Sequence, residues 1–229
     1  MAAAVVLASC APSPVAHGQP STATAHAPQP HPLTYVAIGA SDAFGVGTDD
    51  PDRQSWPTVL ASQLGGPVHL INLGIPDERL SDALQNELPV ALDAKPDVIT
   101  VWLAANDLAD GVPLDAYGRD LLTLLTTLRT RTHAVIVVGN LPDLTLLPIF
   151  AQQDPTALLA EVQAWNAVIA RDCAEAGVTL VDLFSGWKEL ANHPEYISGD
   201  GFHPSTIGAA RVADLFADAV LSAQAVRSP

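Results

Sequence analysis

Positive charge is scarce in this sequence. Lys and Arg together number 10, against 25 Asp and Glu, for a formal net charge of -15. Nucleic-acid binding needs clustered cations facing phosphates, so that class of partner is excluded. Aromatic residues are also few, at 5%, which lends little support to recognition of sugars by stacking. Cysteine occurs only at Cys10 and Cys173. A disulfide between them would tie an N-terminal tail to a helix, and Cys173, inside WNAVIARDCAEAG, reads instead as a small, partly buried hydrophobe. What is present is apolar: 48% of 229 residues are hydrophobic, enough to bury the core of one α/β domain with a short appendage.

The appendage has its own signature. The run AAAVVLASC is too short to span a bilayer and suits the apolar part of a signal peptide. Leu7-Ala8-Ser9-Cys10 resembles the lipobox of bacterial lipoproteins. That resemblance implies lipidation of Cys10, with the protein held extracytoplasmically at the cell membrane by its lipid; secretion is the alternative. No Lys or Arg precedes the run, so either the true start lies upstream or the match is chance. Residues 11–32, rich in Pro, Ala, Ser and Thr, bury too little apolar surface to offset their ordering entropy and read as a disordered linker. His17, His26 and His31 fall inside it and read as passengers of a tether, with a metal-binding tract as the alternative. The globular domain is expected over 33–229.

From Leu33 the pattern alternates. Apolar runs of strand length occupy 33–38, 68–73, 97–103, 134–138 and 178–183, separated by helical spacing over 56–64, 78–92, 114–131 and 156–176, with a last helix near 205–223. Buried strands alternating with helices predict a parallel sheet covered on both faces. The expected fold is a three-layer α/β/α sandwich, flavodoxin-like, with five strands in the order 2-1-3-4-5.

In such a sheet the chemistry gathers at the carboxyl ends of the strands. Polar residues occur there in four places: Gly39-Ala40-Ser41-Asp42, Asn72-Leu73-Gly74, Ala104-Ala105-Asn106-Asp107, and Asp200-Gly201-Phe202-His203. A serine hydroxyl needs a neighbouring base, and the oxyanion it creates needs donors already in place. His203 is the candidate base and Asp200 its orienting partner. The N–H groups of Ser41 and Gly74 and the amide of Asn106 are candidate oxyanion donors.

In order and spacing, these four segments resemble the blocks of the SGNH (GDSL) hydrolase superfamily. The resemblance implies a nucleophile at Ser41, oxyanion groups at Gly74 and Asn106, and a D-x-x-H pair at Asp200 and His203. The expected activity is carboxylic ester hydrolysis through an acyl-enzyme, with no cofactor and no metal. Two departures stand out: Ala40 and Asp42 replace two residues of G-D-S-L, and Ala104 replaces the glycine of G-x-N-D.

Singly, each residue has a plainer explanation: Ser41 and Gly74 as turn residues, Asn106 and Asp107 as a helix cap. His69 reads as packed or edge-exposed in a strand, and His193 with Asp200 and His203 matches no metal motif. The segment NLPDLTLLPIFAQQDP, 140–155, reads either as a loop folded on the core or as an apolar wall receiving an acyl group, with Leu144 and Phe150 as substrate contacts beside Asp42. The substrate expected is a lipid-like or simple acyl ester, with acetylated sugar next. A non-catalytic binding lipoprotein on the same fold and an acyltransferase are the alternatives.

Overall fold

The computed structural model of the chain describes Ala2, residues 31–186 and residues 188–227. Cys10, the lipobox and nearly all of the linker lie outside the described residues. From His31 onward the chain forms one unit.

Five parallel strands make the sheet: β1 (Leu33–Gly39), β2 (Val68–Asn72), β3 (Val98–Trp102), β4 (Val135–Gly139) and β5 (Thr179–Val181). Their order is β2-β1-β3-β4-β5, as expected from the alternation. Register sets Val36 beside both Ile71 and Ile99, and Val101 beside Val138. β3 and β4 are buried at every position and β2, at the edge, at none.

Ten α-helical segments occur among the described residues: α1 (Ser41–Phe44), α2 (Pro51–Gln54), α3 (Trp56–Gln63), α4 (Leu80–Asn86), α5 (Leu88–Asp93), α6 (Ala105–Ala109), α7 (Leu114–Arg131), α8 (Pro155–Ala176), α9 (Leu183–Gly186) and α10 (Thr206–Arg227). The chain leaves β1 in one direction across the sheet and β3 in the other. Right-handed crossovers therefore put α3 on one face and α5, α7 and α8 on the opposite one. α10 joins α3, and Trp56 stacks on Phe216 between them at 4.5 Å, with Trp102 of β3 edge-on to Trp56. On the other face Tyr117 of α7 tilts against Trp165 of α8 at 4.6 Å. No helix among the described residues is long and apolar enough to cross a membrane.

The helix expected over 78–92 is two helices, broken at Glu87. Pro89 stands in the first turn of α5, where its missing N–H is tolerated, but it could not have continued α4. The break turns Glu87 inward, where its side chain is buried and Oε2 accepts the Gly39 N–H at 2.9 Å.

The reversal of direction between β1 and β3 opens a crevice at their carboxyl ends. Ser41 follows β1 directly and Asn106 follows β3.

Candidate active site

Ser41 is the first residue of α1, a single turn whose carbonyls are met at once: Ser41 O accepts the N–H groups of Gly45 and Val46. That tight turn lifts Oγ out of the sheet end toward the loop preceding α10. There Asp200 folds the chain back on itself, its Oδ1 accepting from Ser198 Oγ and from the N–H groups of Phe202 and His203 at 2.8–3.0 Å. This is an Asx turn, and it aims the imidazole.

His203 Nδ1 lies 2.6 Å from Asp200 Oδ2, and His203 Nε2 lies 2.8 Å from Ser41 Oγ. Burial works against the Asp200 charge. The hydrogen bonds from the His203 ring, the Phe202 N–H, the Ser198 hydroxyl and the His203 N–H outweigh it and hold the carboxyl below the usual range. An ionised Asp200 can only accept, so Nδ1 carries the proton and Nε2 is left to accept from the serine.

Gly47 brings the two loops together. Its φ of +94° is a left-handed conformation, and a Cβ there would lie 2.5 Å from Pro204 O and 2.9 Å from His203 Cβ. Only glycine lets the chain beyond α1 run against the base loop at this distance.

Asn106, in α6, presents its amide to the same cleft. Nδ2 donates one hydrogen to Glu78 O at 2.9 Å, which fixes the amide and leaves its second hydrogen for another acceptor. Ala104, just before, has φ 178°, extended backbone open to any residue, so alanine in place of the family's glycine meets no strain. Asp107 turns away from the cleft and accepts the Leu80 N–H; burial lifts its carboxyl to about 6 against that bond.

Gly74 is placed differently from what the sequence suggests. A Cβ there would lie 2.5 Å from Phe44 N and 2.9 Å from Ala40 O, so glycine is required for this loop to press on the α1 turn. Its N–H donates to Asn72 Oδ1 at 3.1 Å, while Asn72 Nδ2 donates to Ala43 O at 2.6 Å. The Gly74 N–H is thus engaged by a neighbour, and Gly74 is not among the residues lining the cleft. Asn72 ends β2 and ties it to α1, a role that the sequence did not single out.

The cleft around Ser41 is lined on one side by Leu141, Pro142, Leu144 and Leu147, which follow β4, and also by Trp102 and Phe202. The apolar loop is folded as two 3-10 turns, Leu144–Leu146 and Pro148–Phe150, with Leu144 and Leu147 buried. Of the two loop residues expected to meet substrate, Leu144 lines the cleft. Phe150 instead packs edge-on against Phe202, which in turn meets the His203 ring edge-on. Ile149 is more than half exposed, but its N–H donates to Gly201 O, docking this loop on the turn that carries Asp200 and His203.

Asp42 lines the cleft next to Ser41, its Oδ1 accepting the Ala43 N–H at 2.8 Å. Burial raises its carboxyl to about 6, against the pull of that N–H and of His203. With alanine at position 40, the carboxyl that reaches the end of β1 is Glu87, which burial lifts to about 8 despite its bond to Gly39. His69 is exposed on edge strand β2, and His193 pairs with Glu195 at 2.8 Å. No group of three or more His, Cys, Asp or Glu side chains among the described residues is placed to hold a metal ion.

The family model described as GDSL-like lipase/acylhydrolase matches residues 37–211. No curated protein matches the chain. Among solved structures, LAE5, an α/β hydrolase from the metagenome of Lake Arreo in Spain, superposes with a TM-score of 0.68 at 18% identity, covering 82% of this chain and 94% of its own. The lipase/acylhydrolase from Enterococcus faecalis gives 0.66 at 18%, covering 81% and 94%. Axe2, an acetylxylan esterase from Geobacillus stearothermophilus, gives 0.67 at 18%, covering 82% and 94%. At such identities the likeness is one of fold.

Proposed function

Since the chain belongs to the GDSL-like lipase/acylhydrolase family, we propose that it is a serine hydrolase that cleaves carboxylic esters through an acyl-enzyme. The observation that carries this reading is the continuous hydrogen-bonded chain from Ser41 Oγ through His203 to Asp200, already formed at 2.8 and 2.6 Å.

Ser41 Oγ attacks the ester carbonyl carbon as His203 Nε2 takes its proton, and Asp200 stabilises the imidazolium that results. The tetrahedral oxyanion accepts from the Ser41 N–H and from the free hydrogen on Asn106 Nδ2. Glu78 O, by holding the other amide hydrogen, keeps Asn106 aimed. The intermediate collapses, the C–O bond to the alcohol breaks, and His203 gives its proton to the departing oxygen. Water then attacks the acyl-serine with His203 again as base, and release of the acid restores Ser41. The Gly74 N–H joins the oxyanion donors only if Asn72 Oδ1 lets it go, so two donors carry the first account.

The apolar lining from Leu141 to Leu147 suits a short or medium acyl chain. A protein that only bound its ligand would have no need of a buried serine hydrogen-bonded to an oriented histidine. The reading is tested with p-nitrophenyl butyrate: rapid mixing should give a burst of one p-nitrophenol per chain followed by slower turnover, and Ser41→Ala should give neither. Equal turnover by Ser41→Ala would defeat the proposal.

A further inference from the structure

Asp42 has no part in the steps above, yet it lies in the same cleft as Ser41, Asn106 and His203. Sheet order divides that cleft. Asp42 follows β1 and Glu78 follows β2, both on one side of β3, while Leu141, Leu144 and Leu147 follow β4 on the other. Ser41, Asp42 and the three leucines line one cleft. Among the described residues lining the cleft there is no lysine or arginine to neutralise the acidic side. The Glu78 carboxylate is taken up by Asn86, so an ester whose carbonyl meets Ser41 can place one arm among the leucines and the other beside Asp42.

We propose that Asp42 is a specificity-determining residue that selects esters with an apolar acyl group and a cationic alcohol, such as a quaternary amino alcohol, over esters with neutral or anionic alcohols. The inference rests on the ester-hydrolase reading and adds a substrate class to it. A carboxylate beside the leaving arm attracts a fixed positive charge and repels a negative one, in a site where water screens little. The N–H of Ala43 holds Oδ1 and fixes the carboxylate at the wall.

This preference is also pH-dependent. Asp42 titrates near 6, so the carboxylate that attracts the cation is present above that value and is lost below it. Of the titratable groups around it, His203 across the cleft favours the ionised form, while Asp42 itself, with Glu78, helps keep the proton on Glu87 at the α4–α5 break. Asp42→Asn leaves all three in place, so whatever pH dependence persists in that variant belongs to them.

The test compares butyrylcholine with its uncharged carbon isostere, 3,3-dimethylbutyl butyrate, and with carboxymethyl butyrate, on wild type and Asp42→Asn. The kcat/KM ratio of the cationic to the neutral ester at pH 8 should exceed one in the wild type and fall on the order of five- to tenfold in the variant. The carboxymethyl ester should be the poorest wild-type substrate and should gain relative to the neutral one. The wild-type ratio should decline as pH is lowered through about 6, with a flatter profile in Asp42→Asn. Equal ratios in the two proteins, or a wild-type ratio at or below one at pH 8, which needs no variant, overturn the assignment of Asp42 while turnover of the neutral ester upholds the hydrolase. Failure of the wild type to turn over any of the three overturns both.

Discussion

His203 Nε2 stands 2.8 Å from Ser41 Oγ across 162 residues of chain. The contact depends on a second closeness, that of Gly47 to the base loop, since any Cβ at 47 would meet His203 Cβ and Pro204 O. The distance that matters for proton transfer is thus set by a glycine that touches neither reacting atom.

Gly47→Ala should therefore act on chemistry more than on binding. The methyl pushes the Asp200–His203 turn away from Ser41, and kcat should fall by about 10²-fold with KM little changed. A variant with wild-type kcat on p-nitrophenyl butyrate would show that the two loops are held together by other contacts.

Asn106 and Gly74 should separate cleanly. Asn106→Ala removes an oxyanion donor, and kcat should drop roughly 10²–10³-fold while the thermal midpoint moves little. Gly74→Ala drives a Cβ into the α1 backbone, so it should lower the thermal midpoint as well as activity. Steady-state kinetics beside a melting curve distinguish them; an Asn106→Ala enzyme with full kcat would remove that amide from the mechanism.

Glu87 makes stability depend on pH. Burial lifts its carboxyl from 4.5 to about 8, so between those values the folded chain keeps a proton that the unfolded chain releases. Its contribution is whole below 4.5 and is lost as pH climbs toward 8. Asp42 and Asp107, each raised from 3.8 to about 6, act in the same direction over a narrower window. Glu87→Gln keeps an acceptor for Gly39 without the ionisation, so its melting temperature should gain on the wild type as pH rises from about 5 to about 8. Parallel pH profiles for the two proteins would contradict the assignment.

Lipidation at Cys10 is proposed from the Leu7–Cys10 pattern. Protein extracted from its native membrane should have the mass of the chain from Cys10 plus a diacylglyceryl group. A chain with an unmodified cysteine at that position would reject the anchor.

Much of this architecture is legible in the residues. The five apolar runs fall on the five strands, and 114–131 is helical throughout, because periodicity over a long segment records which face is buried. Ser41 and Asn106 are found together because each follows a strand that the sheet order brings to one crevice, and the turn before α10 carries Asp200 and His203 to them. Other features depend on contacts between distant segments, which no local pattern encodes. The spacing over 78–92 read as one helix in spite of Pro89, and nothing near Glu87 indicated that its carboxyl reaches Gly39. Asn72 looked like an ordinary strand end, yet it engages the Gly74 N–H that the sequence had assigned to the oxyanion. Phe150 shared the apolar loop with Leu144 but packs on Phe202, a distinction set by two 3-10 turns too short to show a period.

The central claim is that Ser41 is a nucleophile activated by His203. A fluorophosphonate, which reacts with an activated serine and leaves its phosphonyl group on the oxygen, tests it most directly. Wild-type protein should gain one adduct, located by peptide mass spectrometry at Ser41, with labelling slowed by His203→Ala and abolished by Ser41→Ala. A folded wild-type protein that takes up no label, or takes it at another residue while Ser41 stays free, would contradict the account.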